Sequence, residues 1–104
     1  MIKQISVREL NDELSLGEIR LIDVREDDEV AICSVDKATH VPMNKIPSNL
    51  DQFDKNTKYA IMCHSGVRSH NVCFYLHNQG FDVVNVQGGI HEWAQVIDKT
   101  MKMY

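Results

Sequence analysis

Apolar residues come in short bursts along this chain, and the spacing within the bursts alternates between strand and helix periods. Ile2 to Ile5 is a short apolar segment that predicts a first strand. Ser6 then opens a helix. Ser6 and Glu9 form the S-x-x-E pattern of a capping box, and Leu10 and Leu14 make one buried stripe before Gly17. Arg20 to Val24 (RLIDV) predicts a compact strand, Glu26 to Ile32 a short acidic helix, and Thr39 to Val41 a brief strand stopped by Pro42. Ser48 to Phe53 reads as one or two helical turns with Leu50 and Phe53 facing inward. Lys58 to Met62 (KYAIM) predicts a buried strand, and Ser69 to Asn78 a helix with Val72, Cys73 and Leu76 on one face, ended by Gly80. Asp82 to Val86 (DVVNV) is the last strand, Gly88-Gly89 a turn, and Ile90 to Ile97 a final amphipathic helix in which Trp93 anchors to the core. Strands alternating with helices imply βαβ units, here an α/β domain with a mostly parallel sheet of about five strands and helices on both faces. In such sheets the working loops lie beyond the carboxyl ends of the strands.

At 104 residues the chain is long enough for one domain, spanning residues 1–104 with 98–104 as a tail, and it can bury a core without staples. Lys99 to Tyr104 (KTMKMY) is expected to fray, with Met101, Met103 and Tyr104 available to dock on a partner. Hydrophobic residues at 43% and charged residues at 25% exclude disordered and fibrous classes. A formal net charge of −4 offers no electrostatic grip on nucleic acid or an anionic membrane. No apolar run approaches the roughly 18–20 residues that span a bilayer, and MIKQISVREL lacks the apolar core of a secretory signal. The three cysteines, Cys33, Cys63 and Cys73, are odd in number and show no C-x-x-C spacing. A cytoplasmic protein with reduced thiols is expected, and one of the three can be a nucleophile.

The segment Cys63-His64-Ser65-Gly66-Val67-Arg68-Ser69 stands between an apolar strand and a helix. A cysteine there faces the amino end of the next helix, where backbone N–H groups of a tight loop converge on its sulfur and favour thiolate over thiol. Gly66 supplies a residue that tolerates positive φ, and Arg68 a permanent cation with a planar fork suited to an oxyanion. The cation matters because a thiolate meets each like charge on an anionic substrate with a repulsion of about 4 kcal/mol at 4 Å and an effective dielectric of 20.

These residues resemble the rhodanese-like family, whose catalytic cysteine lies in a loop of the form C-x-x-G-x-R-S, matched at every fixed position by Cys63 to Ser69. Further matches follow in family order: Leu21-Ile22-Asp23-Val24-Arg25-Glu26, Ala38-Thr39-His40-Val41-Pro42-Met43, Gly80-Phe81, and Gly88-Gly89-Ile90 with Trp93. Together they span about Ile5 to Trp93. The resemblance implies a sulfurtransferase acting through a persulfide on Cys63, with His64, Ser65, Gly66, Val67, Arg68 and Ser69 forming the substrate-binding loop. One departure is clear: Cys33-Ser34-Val35-Asp36-Lys37-Ala38 stands where the family carries G-H-I-P-G-A, which changes that loop's conformation and its support role.

Asp23 and Arg25 follow a buried strand and are expected to pair as structural support beneath the active loop. Cys73, beside Val72 and Leu76, reads as core, while Cys33 is a candidate to resolve a persulfide as a disulfide. Of the five histidines, His70 and His77 are two turns apart with no third ligand suitably spaced, so neither metal nor cofactor is expected; His64 lies inside the loop and can line the substrate mouth.

Three function classes remain open. A sulfurtransferase would move a sulfane sulfur from thiosulfate or a persulfide donor to cyanide or a thiol, with a protein acceptor also possible, in two covalent steps. A cysteine phosphatase or arsenate reductase would need five residues between cysteine and arginine, whereas four separate Cys63 from Arg68. A non-catalytic binding module of the family commonly lacks the cysteine that this chain has.

Overall fold

Side chains alternate across each strand, and that alternation divides the apolar residues between two cores, one on each face of a single sheet. The computed structural model describes residues 2–104; Met1, included in the expected domain, lies outside the described residues. Five strands, β1 (Gln4–Ile5), β2 (Arg20–Asp23), β3 (Ala38–His40), β4 (Lys58–Met62) and β5 (Asp82–Val86), form one sheet in the order β1-β5-β4-β2-β3. Every neighbouring pair is parallel. The helices are α1 (Val7–Leu16), α2 (Asp27–Ile32), α3 (Val67–Asn78) and α4 (Gly89–Val96), with 3-10 turns at Met43–Lys45 and Pro47–Gln52. The expected α/β architecture, a five-stranded parallel sheet flanked by helices, is the observed one.

On one face Leu21, Ala60, Met62, Val84 and Val86 meet Leu10 and Leu14 of α1 and Ile90 and Trp93 of α4. On the other, Ile22, Tyr59, Ile61, Cys63 and Val83 meet Val72, Cys73 and Leu76 of α3, with Ile46, Leu50 and Phe53 from the turns. Cys63, one step past β4, is therefore carried on the α3 side by the strand's own alternation.

The strand order also locates the site. From β4 the chain passes through α3 to β5 on one side; from β2 it passes through α2 to β3 on the other. β2 and β4 are neighbours, with Asp23 beside Met62, so their carboxyl ends open onto the crevice where connections diverge.

Local chemistry explains the boundaries. Ser6 caps α1 by accepting from the Glu9 N–H at 3.1 Å, and Glu9 reaches back to the Ser6 N–H. Helix α3 starts two residues before the expected Ser69, because Gly66 at φ 110° turns the loop directly into the helix. The first strand is confined to Gln4–Ile5, the length over which β5 provides partners.

The tail corrects the expected fraying. Met101 packs on the first core, and Tyr104 folds back over the carboxyl edge of the sheet. A ring that finds a stacking partner and a hydroxyl that finds two charged ones offset the entropy of ordering a terminus.

Candidate active site

Strand β4 delivers Cys63 to the floor of a loop that α3 closes from above. The Cys63 sulfur is almost fully buried, at 1% exposure, and faces the first turn of α3. The Gly66 N–H donates to it at 3.1 Å and the Ser69 hydroxyl lies 3.3 Å away. Burial pushes the thiol up, but the Ser69 side chain and the N–H groups of Ser69, Gly66 and Ser65 outweigh it, so Cys63 ionises below the ordinary cysteine range. Cys73, equally buried but without such donors, is pushed up to about 12. The contrast separates a thiol poised to ionise from one that belongs to the core.

Two buttresses hold the loop. Asn85 of β5 donates to the Gly66 carbonyl at 3.0 Å and accepts from the Ser69 hydroxyl at 2.5 Å. On the other side, Ile90 and His91 at the start of α4 donate to the carbonyls of Cys63 and His64 at 2.9 and 3.0 Å. The approach is so close that a Cβ on Gly89 would stand 2.5 Å from both of those carbonyl oxygens. The Gly88-Gly89 turn thus lets α4 brace the nucleophile loop.

Beneath the mouth, Arg25 is wholly buried and every arm of its fork is engaged. It donates to both carboxylate oxygens of Asp23, the shortest contact 2.7 Å, to the carbonyls of Cys33 and Glu29, and to the Tyr104 hydroxyl at 3.0 Å. Two buried charges with all their donors satisfied make a rigid floor. The Cys33–Ala38 segment, despite lacking the family's glycine, histidine and proline, is anchored by the Cys33 carbonyl on Arg25 and by Val35 in the first core. The Cys33 side chain is half-buried at the end of α2.

Arg68, in the first turn of α3, is one-third exposed and forms a forked pair with Glu29 of α2, at 2.6 and 2.7 Å. The pair holds the Glu29 carboxyl down at about 2. The Tyr104 hydroxyl donates to the same carboxylate at 2.9 Å, and its ring stacks on His64 with centroids 4.2 Å apart. His64 stands edge-on to His91, and its Nε2 is buried without a protein partner. Tail and loop leave a cavity of only about 10 Å³ beside Cys33, His64 and Tyr104.

Of the loop residues named from sequence, Gly66 and Ser69 bring donors onto the Cys63 sulfur, His64 stacks on Tyr104, Arg68 turns to Glu29, and Ser65 and Val67 are exposed. Sequence reasoning missed Glu29, Asn85 and Tyr104. Asn85 did carry a signal, as the one amide in the otherwise apolar stretch VVNV of β5; Glu29 and Tyr104 lie 39 and 75 residues from partners that local spacing cannot reveal. Among the described residues, no group of three or more His, Cys, Asp or Glu is arranged to hold a metal, and no helix is long and apolar enough to cross a membrane.

Comparison with known proteins identifies relatives of the chain and of its fold. The model of the rhodanese-like domain matches residues 6–96. The chain is 46% identical over 93 residues to YtwF of Bacillus subtilis, provisionally named a sulfurtransferase, covering 88% of this chain and 90% of that protein. It is 35% identical to a sulfurtransferase of Allochromatium vinosum, covering 91% of each. The crystal structure of a rhodanese-like domain protein from Staphylococcus aureus superposes with a TM-score of 0.86 at 39% identity, covering 99% of both chains. The named relatives support sulfur transfer as the general chemistry. With its parallel sheet, its cysteine loop at the switch point and these matches, the chain belongs to the rhodanese-like domain family.

Proposed function

We propose that the chain is a cytoplasmic sulfurtransferase that moves a sulfane sulfur from thiosulfate or a persulfide donor to cyanide or a thiol, on a small molecule or a protein, through a persulfide on Cys63. The observation that carries this reading is the convergence of N–H and O–H donors on one buried, ionisable sulfur. The Cys63 thiolate attacks the outer sulfur of the donor. The donor S–S bond breaks, and sulfite or a thiolate leaves with the electron pair. The donors that favoured the thiolate then hold the terminal sulfur of the persulfide. A nucleophilic acceptor removes that sulfur and restores the thiolate, as ping-pong kinetics require.

Loop size supports sulfur over phosphorus. Four residues separate Cys63 from Arg68, a ring that accommodates one added sulfur more readily than a tetrahedral oxyanion. Asp23 and Arg25 serve as the support below the loop rather than as reacting groups.

Intact-mass measurement tests the reading. Incubation with thiosulfate or a small persulfide should add the mass of one sulfur atom to the peptide containing Cys63, and cyanide should remove it. The nearly isosteric Cys63→Ser should fold and gain nothing. Turnover of an aryl phosphate, or added sulfur confined to Cys33 or Cys73, would overturn it.

A further inference from the structure

Arg68, the cation of the Cys63-to-Ser69 segment, is already engaged. Both terminal nitrogens of Arg68 are bonded to Glu29, one to each carboxylate oxygen, at 2.6 and 2.7 Å. The Glu29 carboxylate is itself held by two further donors, and its backbone by a third. It accepts from the Glu26 N–H at 3.1 Å as the cap of α2, and from the Tyr104 hydroxyl at 2.9 Å. The backbone carbonyl of the same residue accepts from Arg25 at 3.2 Å. Its side chain is only 17% exposed, so little water screens it.

From this arrangement we infer that Glu29 is a specificity-determining residue, which by occupying the Arg68 fork turns the site away from dianionic donors and toward persulfides. The inference rests on sulfur transfer at Cys63 and narrows its donor. Thiosulfate places two negative charges at the mouth. To bind, its sulfonate either displaces Glu29 from Arg68, leaving a carboxylate unpaired beside a dianion, or does without the fork. A persulfide RS–SH has no such demand: Cys63–S⁻ attacks the outer sulfur, the RS–S bond breaks, RS⁻ leaves with the electron pair, and the proton stays on the sulfur now bound to Cys63. Charge is −1 on each side of that step, whereas the reaction with thiosulfate gathers three negative charges in one pocket. Tyr104 strengthens the discrimination, because its hydroxyl holds the carboxylate and its ring covers His64.

The test compares two donors, thiosulfate and the persulfide of 2-mercaptoethanol, which carries no carboxylate, on wild type, Glu29→Gln and Tyr104→Phe. Gln keeps an acceptor for Arg68 and for the Glu26 N–H but removes the charge. Wild type should favour the persulfide in kcat/KM by at least about tenfold. Glu29→Gln should lower KM for thiosulfate by about tenfold with kcat little changed, the signature of relieved ground-state repulsion, while the persulfide kcat/KM shifts less than about threefold. Tyr104→Phe, which keeps the stacked ring, should move thiosulfate KM the same way by about two- to threefold. A merely structural role for Glu29 would alter both donors together. If both donors load sulfur onto Cys63 but the ratio between them is the same in wild type and Glu29→Gln, this inference is overturned and sulfur transfer stands. If neither donor loads Cys63, both are overturned.

Discussion

The Ser69 hydroxyl stands between two acceptors, 3.3 Å from the Cys63 sulfur and 2.5 Å from Oδ1 of Asn85, and it has one proton to give. With Cys63 as a thiol, that proton belongs to Asn85; the thiolate draws it toward sulfur. Ser69→Ala should therefore raise the pH at which Cys63 ionises and slow its alkylation by iodoacetamide near neutral pH by about tenfold, the scale of one hydrogen bond to a charged group. The pH dependence of alkylation is the measurement. An unchanged profile would assign the lowered ionisation to the backbone N–H groups alone.

Arg68 lies in the first turn of α3, and an anionic donor that uses its fork competes for it with Glu29. Arg68→Ala should lower kcat/KM with thiosulfate by about 10- to 100-fold, because it removes charge-assisted bonds and leaves Glu29 unpaired at the mouth. With a persulfide donor, which carries no sulfonate, the loss should be several-fold smaller. Arg68→Lys should recover part of it, restoring charge without the fork. Equal losses with both donors would mean that Arg68 holds the loop rather than the anion.

Arg25 and Asp23 are both buried, at 0% and 1% exposure, and bonded at 2.7 Å. Arg25→Met should cost about 3–5 kcal/mol, since it strands an unpaired carboxylate in the interior. Asp23→Asn combined with Arg25→Met should cost clearly less than the sum of the two single changes. Urea unfolding of the four proteins measures this coupling; additive effects would show that the pair does not act as a unit.

The paired Glu29 carboxyl ionises at about 2 when folded, against an ordinary value of 4.5. A group whose folded value is depressed contributes stability above its unfolded value and loses it as pH falls toward the folded one. Wild type should therefore be more stable than Glu29→Gln at pH 6, with the gap in Tm closing between about pH 4.5 and 2. Arg68 and the Tyr104 hydroxyl, the groups facing Glu29, both stay protonated across that range, so the slope belongs to Glu29. A gap that does not change with pH would exclude a stabilising ion pair.

Much of the fold was legible because its signals are local. The strands at Lys58–Met62 and Asp82–Val86 have the boundaries that their apolar runs predict, and the Ser6–Glu9 capping box forms as its spacing requires. The start of α3 was placed late because a polar run, VRSHN, masks a helix that Gly66 begins by its backbone conformation alone. The order of the tail is hidden because its composition suits solvent, while its last residue meets charged partners from the β2–α2 loop and from α2.

The amino-acid order alone determined that a cysteine would end a buried strand, that a glycine turn and a helix N-terminus would follow, and that a parallel sheet would carry them, because periodicity, capping and turn chemistry act over a few residues. Only the tertiary structure decided what surrounds that cysteine. Asn85 reaches Gly66 and Ser69 because β5 lies beside β4, and α4 braces the loop because Gly89 lets backbone meet backbone. Glu29 holds Arg68, and Tyr104 closes over both, because the crossover at the β2–β4 switch point brings α2, α3 and the tail to one edge. Hydrogen bonds and ion pairs depend on distance in space, and between residues 39 or 75 positions apart the folded sheet sets that distance.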